Sequence, residues 1–588
     1  MKQFFKFMFA SMLGVFLCFV FIFFIFLFII SGIVSMSKDD QTVVDNNTVL
    51  ELTFDNPIKE RTSKNPFEGM KFPSFKSEQD LGLNDIIKNI EKAKTDNRIK
   101  GIFLNLSSLQ GGISTAEEIR NALLKFKESH KFIIAYSEDY SQGTYYLASV
   151  ADKIFLNPQG ELSFHGLSTE LTFFKGALEK LEVDPEIIRH GKFKSAVEPF
   201  INDKMSPENR EQISVLLHSV WNVYINDVSV SRKMSREELM KIADDMLVRS
   251  PEDALRLKMV DQLAYADEVQ AELKKLSGIQ EKDKLKLLAL KKYNHASGSA
   301  KSLSAKKIAV IYAVGVIGGG DGDDESIGSD RISEAIRKAR LDSSIKAIVL
   351  RVNSPGGSAL ASDVIWREMA LAKKAKPVVV SMGDVAASGG YYISCAADSI
   401  VAQPNTITGS IGVFGLLFNA QKMFNNKLGI TFDTVRTGKF ANMGSITRPL
   451  SASEKEIIQQ QVERIYDTFL SHVADGRKMN KASVDSIGQG RVWSGTDAKR
   501  LGLVDALGGI NTAIEIASRM AKLETYRTVA LPEQKDFLQK ILEDFSTETS
   551  SSITKKELGE GYKYYNQIQS LLKMNGIQAR LPFEIEVY

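Results

Sequence analysis

Apolar positions along most of this chain follow two patterns: short continuous runs, which are typical of buried strands, and helical spacing, which is typical of amphipathic helices. In the second half, short apolar runs at 308–312, 347–352, 378–382 and 399–402 predict strands, and helical periodicity is found at 332–339 and 361–372. The first half repeats the apolar runs at 49–54, 101–106, 132–136 and 153–156. Strands that alternate with helices predict an α/β fold with largely parallel sheets.

The N-terminus departs from this alternation, because residues 7–34 carry no charge and are dense in Phe, Ile, Leu and Val. A helix of that length spans roughly 40 Å, which exceeds the ~30 Å hydrocarbon core of a bilayer. Lys2 and Lys6 precede the run and favour a cytoplasmic N-terminus, with the remainder of the chain outside. The alternative is a cleaved signal peptide, whose apolar region is usually only about 7–15 residues long. We therefore expect an uncleaved membrane anchor.

The two halves of the chain match each other at a nearly constant spacing. Tyr145 corresponds to Tyr391, a shift of 246 (391 − 145), and Gly191 corresponds to Gly438, a shift of 247 (438 − 191). A repeat of this length is too long for a solenoid and indicates two duplicated domains. We predict a cytoplasmic tip and transmembrane anchor at 1–38, a first repeat at 39–285, a linker at 286–306, a second repeat at 307–523 and a C-terminal tail at 524–588.

Three polar or weakly patterned segments lie outside the matched parts of the repeats. The small, polar run at 294–299 predicts a flexible join. The Ser- and Thr-rich run at 546–554 predicts a loose segment, and 558–574 predicts a last helix. The sequence assigns no function to this tail.

Charge and cysteine content restrict the classes of function. Among 588 residues there are 75 basic and 72 acidic side chains, so the net charge of +3 gives no electrostatic argument for binding nucleic acid. The two cysteines, Cys18 and Cys395, are too few for a disulfide framework or a cysteine-rich metal site.

Two motifs that follow predicted strands carry candidate catalytic groups. Ser388 follows the strand at 378–382 and stands at the start of an apparent helix, where the helix dipole favours developing negative charge. Gly356 and Gly357 follow the strand at 347–352, and backbone amides at such a turn are able to stabilise an oxyanion. The alternatives are a helix N-cap for Ser388 and a plain tight turn for the glycines.

A serine nucleophile needs a base, and the sequence points to a lysine. None of the six histidines lies in a hydrolase motif, although His190 stays a minor alternative because it is close to Lys194. Lys194 has Ala441 as its counterpart in the second repeat, and Ser388 has Gln142 as its counterpart in the first. We therefore expect one composite site. A lysine has an ordinary pKa of ~10.4, so Lys194 can act as a base near neutral pH only if burial lowers that pKa. The alternative for Lys194 is a solvated surface position.

Four segments together resemble the signal peptide peptidase A family, also called protease IV, in its long, duplicated and membrane-anchored form: 194–200, 353–357, 387–392 and 408–412. The resemblance implies two tandem Clp-protease/crotonase-like domains and a Ser–Lys dyad, with Ser388 as nucleophile and Lys194 as general base. It also implies an oxyanion hole near Gly356 and Gly357, and Ser410 as a hydroxyl that helps to hold the lysine amine. This chemistry needs no metal and no cofactor.

The resemblance further implies a homotetramer at the bacterial inner membrane, with the catalytic domains on the periplasmic side and cleaved signal peptides as substrates. We therefore expect a membrane-anchored serine endopeptidase. Two alternatives come from other classes: an acyl-CoA-processing enzyme of the crotonase type and a catalytically inactive membrane scaffold. The sequence leaves open the side-chain preference of cleavage, and whether Lys194 acts within its own chain or in a neighbouring chain.

Overall fold

A computed structural model describes residues 2–36, 42–63, 81–296, 304–534 and 577–581 of the chain. The predicted loose segment at 546–554, the predicted helix at 558–574 and the second half of the polar run at 294–299 lie outside these residues. The described part consists of an N-terminal helix followed by two α/β units, as the sequence predicts.

Helix α1 (Lys2–Met36) is the first described element. Its segment Gln3–Ile25 is long and apolar enough to cross a membrane, and its most apolar window is not buried against the rest of the protein. A signal sequence would pass the same test of length and composition. An exposed apolar surface of this size indicates a partner other than water, such as a bilayer.

The first repeat has seven strands, of which six form a parallel sheet and one, Asp184–Arg189, pairs elsewhere. Its strands are β1 (Thr48–Phe54), β2 (Ile99–Leu109), β3 (Phe132–Tyr140), β4 (Lys153–Leu162), β5 (Asp184–Arg189), β6 (Gln262–Leu263) and β7 (Leu287–Ala289). Its helices are α2 (Leu83–Thr95), α3 (Ile113–Lys127), α4 (Gln142–Ala148), α5 (Lys175–Leu181), α6 (Glu198–Ile201), α7 (Pro207–Arg232), α8 (Arg236–Asp244), α9 (Pro251–Arg256), α10 (Ala266–Ser277) and α11 (Leu290–Asn294). The sheet order is β6-β4-β3-β2-β1-β7, and all neighbours are parallel, which explains the continuous apolar runs.

The second repeat builds a larger sheet of eight strands, in which all neighbours are parallel except for one antiparallel pair at its edge, 407–409 with 492–494. Its strands are β8 (Lys307–Val314), β9 (Val316–Gly318), β10 (Ser326–Gly328), β11 (Ile345–Ser354), β12 (Gly356–Ser358), β13 (Val378–Ala387), β14 (Ser399–Ala402), β15 (Ile407–Gly409), β16 (Phe414–Asn419), β17 (Val492–Ser494), β18 (Ala506–Leu507), β19 (Arg527–Leu531) and β20 (Ile577–Arg580). Its helices are α12 (Ser329–Leu341), α13 (Ala359–Ala375), α14 (Gly389–Ser394), α15 (Ala452–Arg477), α16 (Lys481–Ile487), α17 (Gly495–Arg500) and α18 (Ile510–Met520). The main order is β17-β15-β13-β11-β8-β19, with β14 and β18 beside β13.

A third sheet combines strands from both repeats and from the end of the chain. Its order is β10-β9-β12-β20-β16-β5. Strand β5 of the first repeat pairs antiparallel with β16 of the second over six residues, from Asp184 opposite Asn419 to Arg189 opposite Phe414. This pairing brings the segment that follows β5 to the site region of the second repeat.

Two segments outside the predicted repeats extend the main sheets. Strand β7, in the predicted linker, pairs with β1, and β19, in the predicted tail, pairs with β8 in the same parallel manner. Helix α11 follows β7, and its Tyr293 is fully buried beside Lys92. The strand pairing of β7 and the burial of Tyr293 explain why the first part of the predicted linker folds onto the first repeat.

A buried ion network joins the two repeats. Arg351 in β11 is fully buried, and its guanidinium lies 2.8 Å from a carboxylate oxygen of Glu60 and 2.6 Å from one of Glu118. Both carboxylates belong to the first repeat. Glu60 also accepts a hydrogen bond of 2.9 Å from the Asn353 side chain. Because β11 leads directly to Gly356, the first repeat supports the glycine motif of the second.

Candidate active site

The lysine of the first repeat is held against the second repeat by main-chain contacts. Lys194 follows β5, and the preceding Phe193 donates its amide to the Gln489 carbonyl at 2.9 Å. Gly490 packs so closely that a β-carbon there would lie 2.6 Å from the Lys194 Cα. Glycine also suits the φ of +82° at this position. The Lys194 side chain is completely buried, which excludes a solvated surface position.

The buried amine meets two serine hydroxyls of the second repeat. Lys194 Nζ lies 2.9 Å from Ser388 Oγ, 3.0 Å from Ser410 Oγ and 3.3 Å from the Ser410 carbonyl oxygen. The Phe414 ring centroid lies 5.9 Å from Nζ. A single chain therefore brings together the predicted nucleophile, the predicted base and the predicted orienting hydroxyl.

Burial lowers the pKa of Lys194 to about 7. The cause is loss of hydration, which disfavours the charged ammonium relative to the neutral amine. In the part of the chain that the structure describes, no carboxylate pairs with this amine; its contacts are hydroxyls, a carbonyl and an aromatic ring. Near neutral pH a large share of the amine is consequently free to accept a proton.

Ser388 has a backbone conformation that residues other than glycine rarely adopt. Its φ is 55° and its ψ is −112°, and its side chain makes no capping hydrogen bond to α14. The N-cap alternative therefore does not hold. The Ser388 amide donates to the Gly409 carbonyl at 2.8 Å, which fixes the turn. Such conformations cost of order 1–3 kcal/mol and are found mainly at functional sites.

Ser410 is the second non-glycine residue of the site with a positive φ, in this case 50°. It is fully buried, and its amide donates to the Arg491 carbonyl at 2.7 Å. Its hydroxyl and its carbonyl oxygen both face Lys194 Nζ. Two contacts to one residue restrict the directions in which the amine can point.

The glycine motif forms a strand, β12, beside the nucleophile. Gly356 has a φ of +96°, and a β-carbon there would lie 2.7 Å from the Gly389 nitrogen. The Gly356 amide donates to Ser354 Oγ at 3.1 Å. Gly389 was not predicted as a site residue, although its place directly after Ser388 was a usable signal. The plain-turn alternative does not describe this motif, because Gly356–Ser358 pairs with other strands.

His190, the alternative base, contacts other side chains. Its Nδ1 lies 2.7 Å from Glu463 Oε2, and its ring stacks on Tyr466 with centroids 4.0 Å apart. These contacts place it in a structural cluster, and the group that contacts Ser388 is Lys194.

The counterparts of Ser388 and Lys194 carry side chains that cannot act as a serine nucleophile or as a lysine base. Gln142, the counterpart of Ser388, accepts hydrogen bonds of 3.0 Å from the amides of His165 and Gly166 through its side-chain oxygen. Ala441, the counterpart of Lys194, is exposed. Among the described residues, no group of three or more His, Cys, Asp or Glu side chains is arranged to hold a metal ion.

Comparison with family models matches both repeats. The model of peptidase family S49 matches residues 125–280 and 370–524, and these ranges contain Lys194 and Ser388, respectively. A Clp protease model matches residues 325–408, the range that contains Gly356 and Gly357.

Individual proteins of known sequence are similar over most or part of the chain. "Protease 4" from Salmonella typhi is 41% identical over 477 residues, which cover 80% of this chain and 76% of that protein. "Serine protease SPPA, chloroplastic" from Arabidopsis thaliana is 36% identical over 460 residues, covering 77% and 68%. "Putative signal peptide peptidase SppA" from Enterococcus faecium is 38% identical over 189 residues, covering 32% and 55%.

Proposed function

Because this chain belongs to peptidase family S49 and is a serine peptidase, we propose that it is a membrane-anchored endopeptidase with Ser388 as nucleophile and Lys194 as general base. One observation carries the proposal. The Lys194 amine lies 2.9 Å from Ser388 Oγ in a buried site that lowers the pKa of the lysine to about 7. Each repeat supplies one member of the dyad.

The proposed reaction begins when Ser388 Oγ attacks the carbonyl carbon of the scissile bond and passes its proton to the neutral Lys194 amine. The protonated lysine then gives this proton to the leaving amine, and an acyl ester remains on Ser388. Water attacks the ester while Lys194 accepts a proton from it, and that proton returns to Oγ as the carboxylic product leaves. One water is consumed, and both residues are regenerated. Ser410 keeps the amine directed at Oγ during both steps.

The backbone amides of Gly356 and Gly357 are the proposed oxyanion hole, with the Gly389 amide as a further donor. The Gly389 nitrogen lies beside Gly356, next to the nucleophile. Since the Gly356 amide donates to Ser354 Oγ here, an oxyanion has to replace that hydroxyl as acceptor. A charged acceptor forms the stronger hydrogen bond, so this exchange favours the transition state over the ground state.

Cleaved signal peptides that remain in the membrane are the proposed substrates. One relative is named a putative signal peptide peptidase, and helix α1 would keep the site beside peptides in the bilayer. Lys2 and Lys6 favour a cytoplasmic N-terminus, and we therefore propose that both repeats lie on the periplasmic side of the inner membrane. The substrate would bind as an extended strand, through its backbone amides and carbonyls.

The duplication also supports self-association. Within one chain, β5 of the first repeat pairs with β16 of the second. The counterpart of β5 is residues 431–436 (431 − 184 = 247), and the counterpart of β16 is residues 168–173 (414 − 168 = 246). Neither counterpart forms a strand in this chain, and Val435 is 98% exposed. We propose that these two segments pair between neighbouring chains as β5 and β16 pair within one chain.

A head-to-tail contact builds a closed ring when the rotation between neighbouring chains closes, and the resemblance to the family sets the proposed number of chains at four. Val435→Asp would place a charge in the paired segment and is expected to convert the tetramer to smaller species in light scattering of the detergent-solubilised protein. Val230→Asp is the matched control, because this valine is exposed on α7. A tetramer that withstands Val435→Asp but not Val230→Asp contradicts the proposed pairing.

The dyad is tested by labelling with a fluorophosphonate, which reacts with activated serines. The wild-type protein should be labelled at Ser388, Ser388→Ala should not be labelled, and Lys194→Ala should react at least a hundredfold more slowly, as expected when a general base is removed. Lys192→Ala is the control, since Lys192 is an exposed lysine two positions away. Labelling of Lys194→Ala at the wild-type rate would refute the dyad.

A further inference from the structure

Helix α7 of the first repeat carries a buried glutamine beside the lysine segment. Gln212 lies on α7, and only 1% of its surface is exposed. Its Nε2 donates hydrogen bonds to the Phe193 carbonyl at 3.1 Å and to Ser195 Oγ at 2.8 Å. These two residues stand directly before and after Lys194. One side-chain amide therefore holds both neighbours of the proposed base.

The other end of the same side chain reaches the second repeat. Gln212 Oε1 accepts a hydrogen bond of 3.2 Å from the Val492 amide in β17. Val492 pairs with Gly409 in β15. The Gly409 carbonyl in turn accepts the Ser388 amide at 2.8 Å. Through two strands of the second repeat, Gln212 is thus linked to the proposed nucleophile as well as to the proposed base.

Gln212 is itself fixed by a chain of buried polar side chains. Its Nε2 lies 3.0 Å from Asn209 Oδ1, one turn earlier on α7, and Asn209 Nδ2 donates to Glu198 Oε2 at 3.0 Å. Glu198 also accepts a hydrogen bond of 2.5 Å from the hydroxyl of Ser206, the residue that caps α7. Asn209 and Glu198 are both buried. A buried network whose members bond to one another is rigid, so it keeps Gln212 in one position.

A neutral amide suits this position beside the lysine segment. A carboxylate close to Lys194 would stabilise the ammonium and raise its pKa. Gln212 binds the segment without adding a charge, and burial is what lowers the pKa of Lys194 to about 7. The segment is therefore held without offsetting the loss of hydration on which the proposed base depends.

We propose that Gln212 is a positioning residue that sets the distance between Ser388 and Lys194, because it binds the segments that carry them, one from each repeat. This inference rests on the proposed dyad. The hydrogen bonds of Gln212 go to neighbours of the two residues and not to the reacting atoms. Proton transfer needs the two heavy atoms within about 3.2 Å, so a small displacement of either segment slows the chemical step.

The first test is Gln212→Met, which keeps the length of the side chain and removes its donor and its acceptor. Hydrolysis of a fluorogenic peptide by the full-length protein in detergent is expressed per serine that fluorophosphonate labels at the end point, so that unfolded molecules are not counted. We expect kcat to fall about tenfold while KM stays within about twofold, since a displaced base affects the chemical step and not substrate binding.

Ser219→Ala is the matched control on the same helix. Ser219 Oγ lies 2.7 Å from Ser494 Oγ in β17, so the change removes a contact between α7 and β17 that does not involve the lysine segment. We expect kcat per labelled serine to stay at the wild-type value in this variant. Equal values of kcat per labelled serine in Gln212→Met and Ser219→Ala would overturn the inference.

The pH dependence of kcat/KM separates positioning from a loss of folded protein. A loosened lysine segment admits water to the amine, so the pKa of Lys194 rises towards its ordinary value. We expect the midpoint in Gln212→Met to lie about one pH unit above the midpoint of the wild type and of Ser219→Ala. A smaller amount of folded enzyme lowers kcat/KM equally at every pH, so an unshifted midpoint contradicts the proposed role.

Ser195→Ala is a second variant that removes a single contact and keeps the question decidable if Gln212→Met does not fold. It should lower kcat per labelled serine about threefold in the wild type and cause no further loss in Gln212→Met, because both changes act on one contact. A wild-type kcat in Ser195→Ala, or a full further loss in the double variant, counts against the inference.

Failure of the proposed function has a different signature. If the wild type neither hydrolyses peptides nor reacts with fluorophosphonate, the proposed dyad is wrong and the role of Gln212 falls with it. An active wild type whose kcat and pH midpoint are unaffected by Gln212→Met refutes only the positioning role.

Discussion

The turn after β3 in the first repeat is relaxed, whereas the equivalent turn after β13 in the second repeat is strained. In the first repeat the counterpart of Ser388 is Gln142, and the serine before it, Ser141, has φ −69° and ψ 165° and caps α4 by accepting a hydrogen bond from the Thr144 amide. Ser388 has φ 55° and makes no capping bond. A capping hydroxyl is directed at the backbone, while an uncapped one is available for a reaction. One duplicated turn thus caps a helix through its serine hydroxyl in one copy and leaves the hydroxyl of the proposed nucleophile uncapped in the other.

For the segment after β5, the first repeat carries the candidate catalytic residue and the second repeat does not. In the first repeat this segment is docked on Gln489 and Gly490, and Lys194 is completely buried. In the second repeat the equivalent segment ends at Ala441 and is exposed. A lysine acts as a base near neutral pH only where it is desolvated, so the docked copy is the one suited to carry it. The two differences together indicate a division of labour between the repeats.

The largest effect is expected from Lys194→Arg. Arginine is also a long basic side chain, but it stays protonated at all relevant pH values, so it supplies no neutral amine. We expect kcat/KM for peptide hydrolysis to fall about 10³- to 10⁴-fold. The measurement is steady-state hydrolysis of a fluorogenic peptide, with Lys192→Arg as the control that should retain activity. An active Lys194→Arg enzyme would show that the side chain acts through its charge and not as a base.

The next effect concerns the contact between the repeats. Arg351→Met leaves Glu60 and Glu118 buried without their counter-charge. Breaking a buried pair in this way is expected to lower the free energy of unfolding by about 3–5 kcal/mol. Denaturant unfolding measures the loss. Arg337→Met is the control, because Arg337 is exposed and its partner Glu368 keeps a second ion pair with Arg340, so the change should cost less than about 1 kcal/mol. Equal losses in the two variants would mean that the buried network does not hold the repeats together.

The smallest expected effect is a difference in stability between two inactive variants at position 388, which reports the backbone strain there separately from catalysis. Ser388→Ala and Ser388→Gly should both be inactive, since neither has a hydroxyl. Glycine adopts the positive φ at this position without a steric penalty, whereas alanine does not. The glycine variant should therefore be more stable than the alanine variant by about 1 kcal/mol in denaturant unfolding. At Gln142, which begins α4, the order should reverse, because glycine in a helix is less favourable than alanine. The same order at both positions would contradict the comparison of the two turns.

Much of the fold could be predicted because its signals are local. Apolar runs gave the eight predicted strands of the two main sheets, and the constant spacing gave the duplication. The pairing of Ser388 with Lys194 could be proposed because each repeat lacks one of the two groups. The roles of these residues, and of Gly356, Gly357 and Ser410, remain proposals, and the domain boundaries at 38, 285, 306 and 523 stay predictions.

The features of the fold and the site that could not be predicted depend on contacts between distant parts of the chain, and such contacts leave no periodic signal in the sequence. Strand β20 was missed because a short segment gains its structure only from its neighbours β12 and β16. The burial of Arg351 beside Glu60 and Glu118 was missed because charged residues are ordinarily assigned to the surface. The positive φ values of Ser388 and Ser410 were missed because serine itself gives no hint of that conformation.

The pH dependence of kcat/KM tests the central claim most directly, because it reports the ionisation of the free enzyme. Burial lowers the pKa of Lys194 to about 7, and only the neutral amine can accept the proton of Ser388. Below that pH the lysine is protonated, so kcat/KM should fall about tenfold per pH unit; above it, kcat/KM should reach a plateau. An activity that keeps rising to pH 10, as for a solvated lysine, or one that is constant from pH 5 to 9, would contradict a buried lysine base.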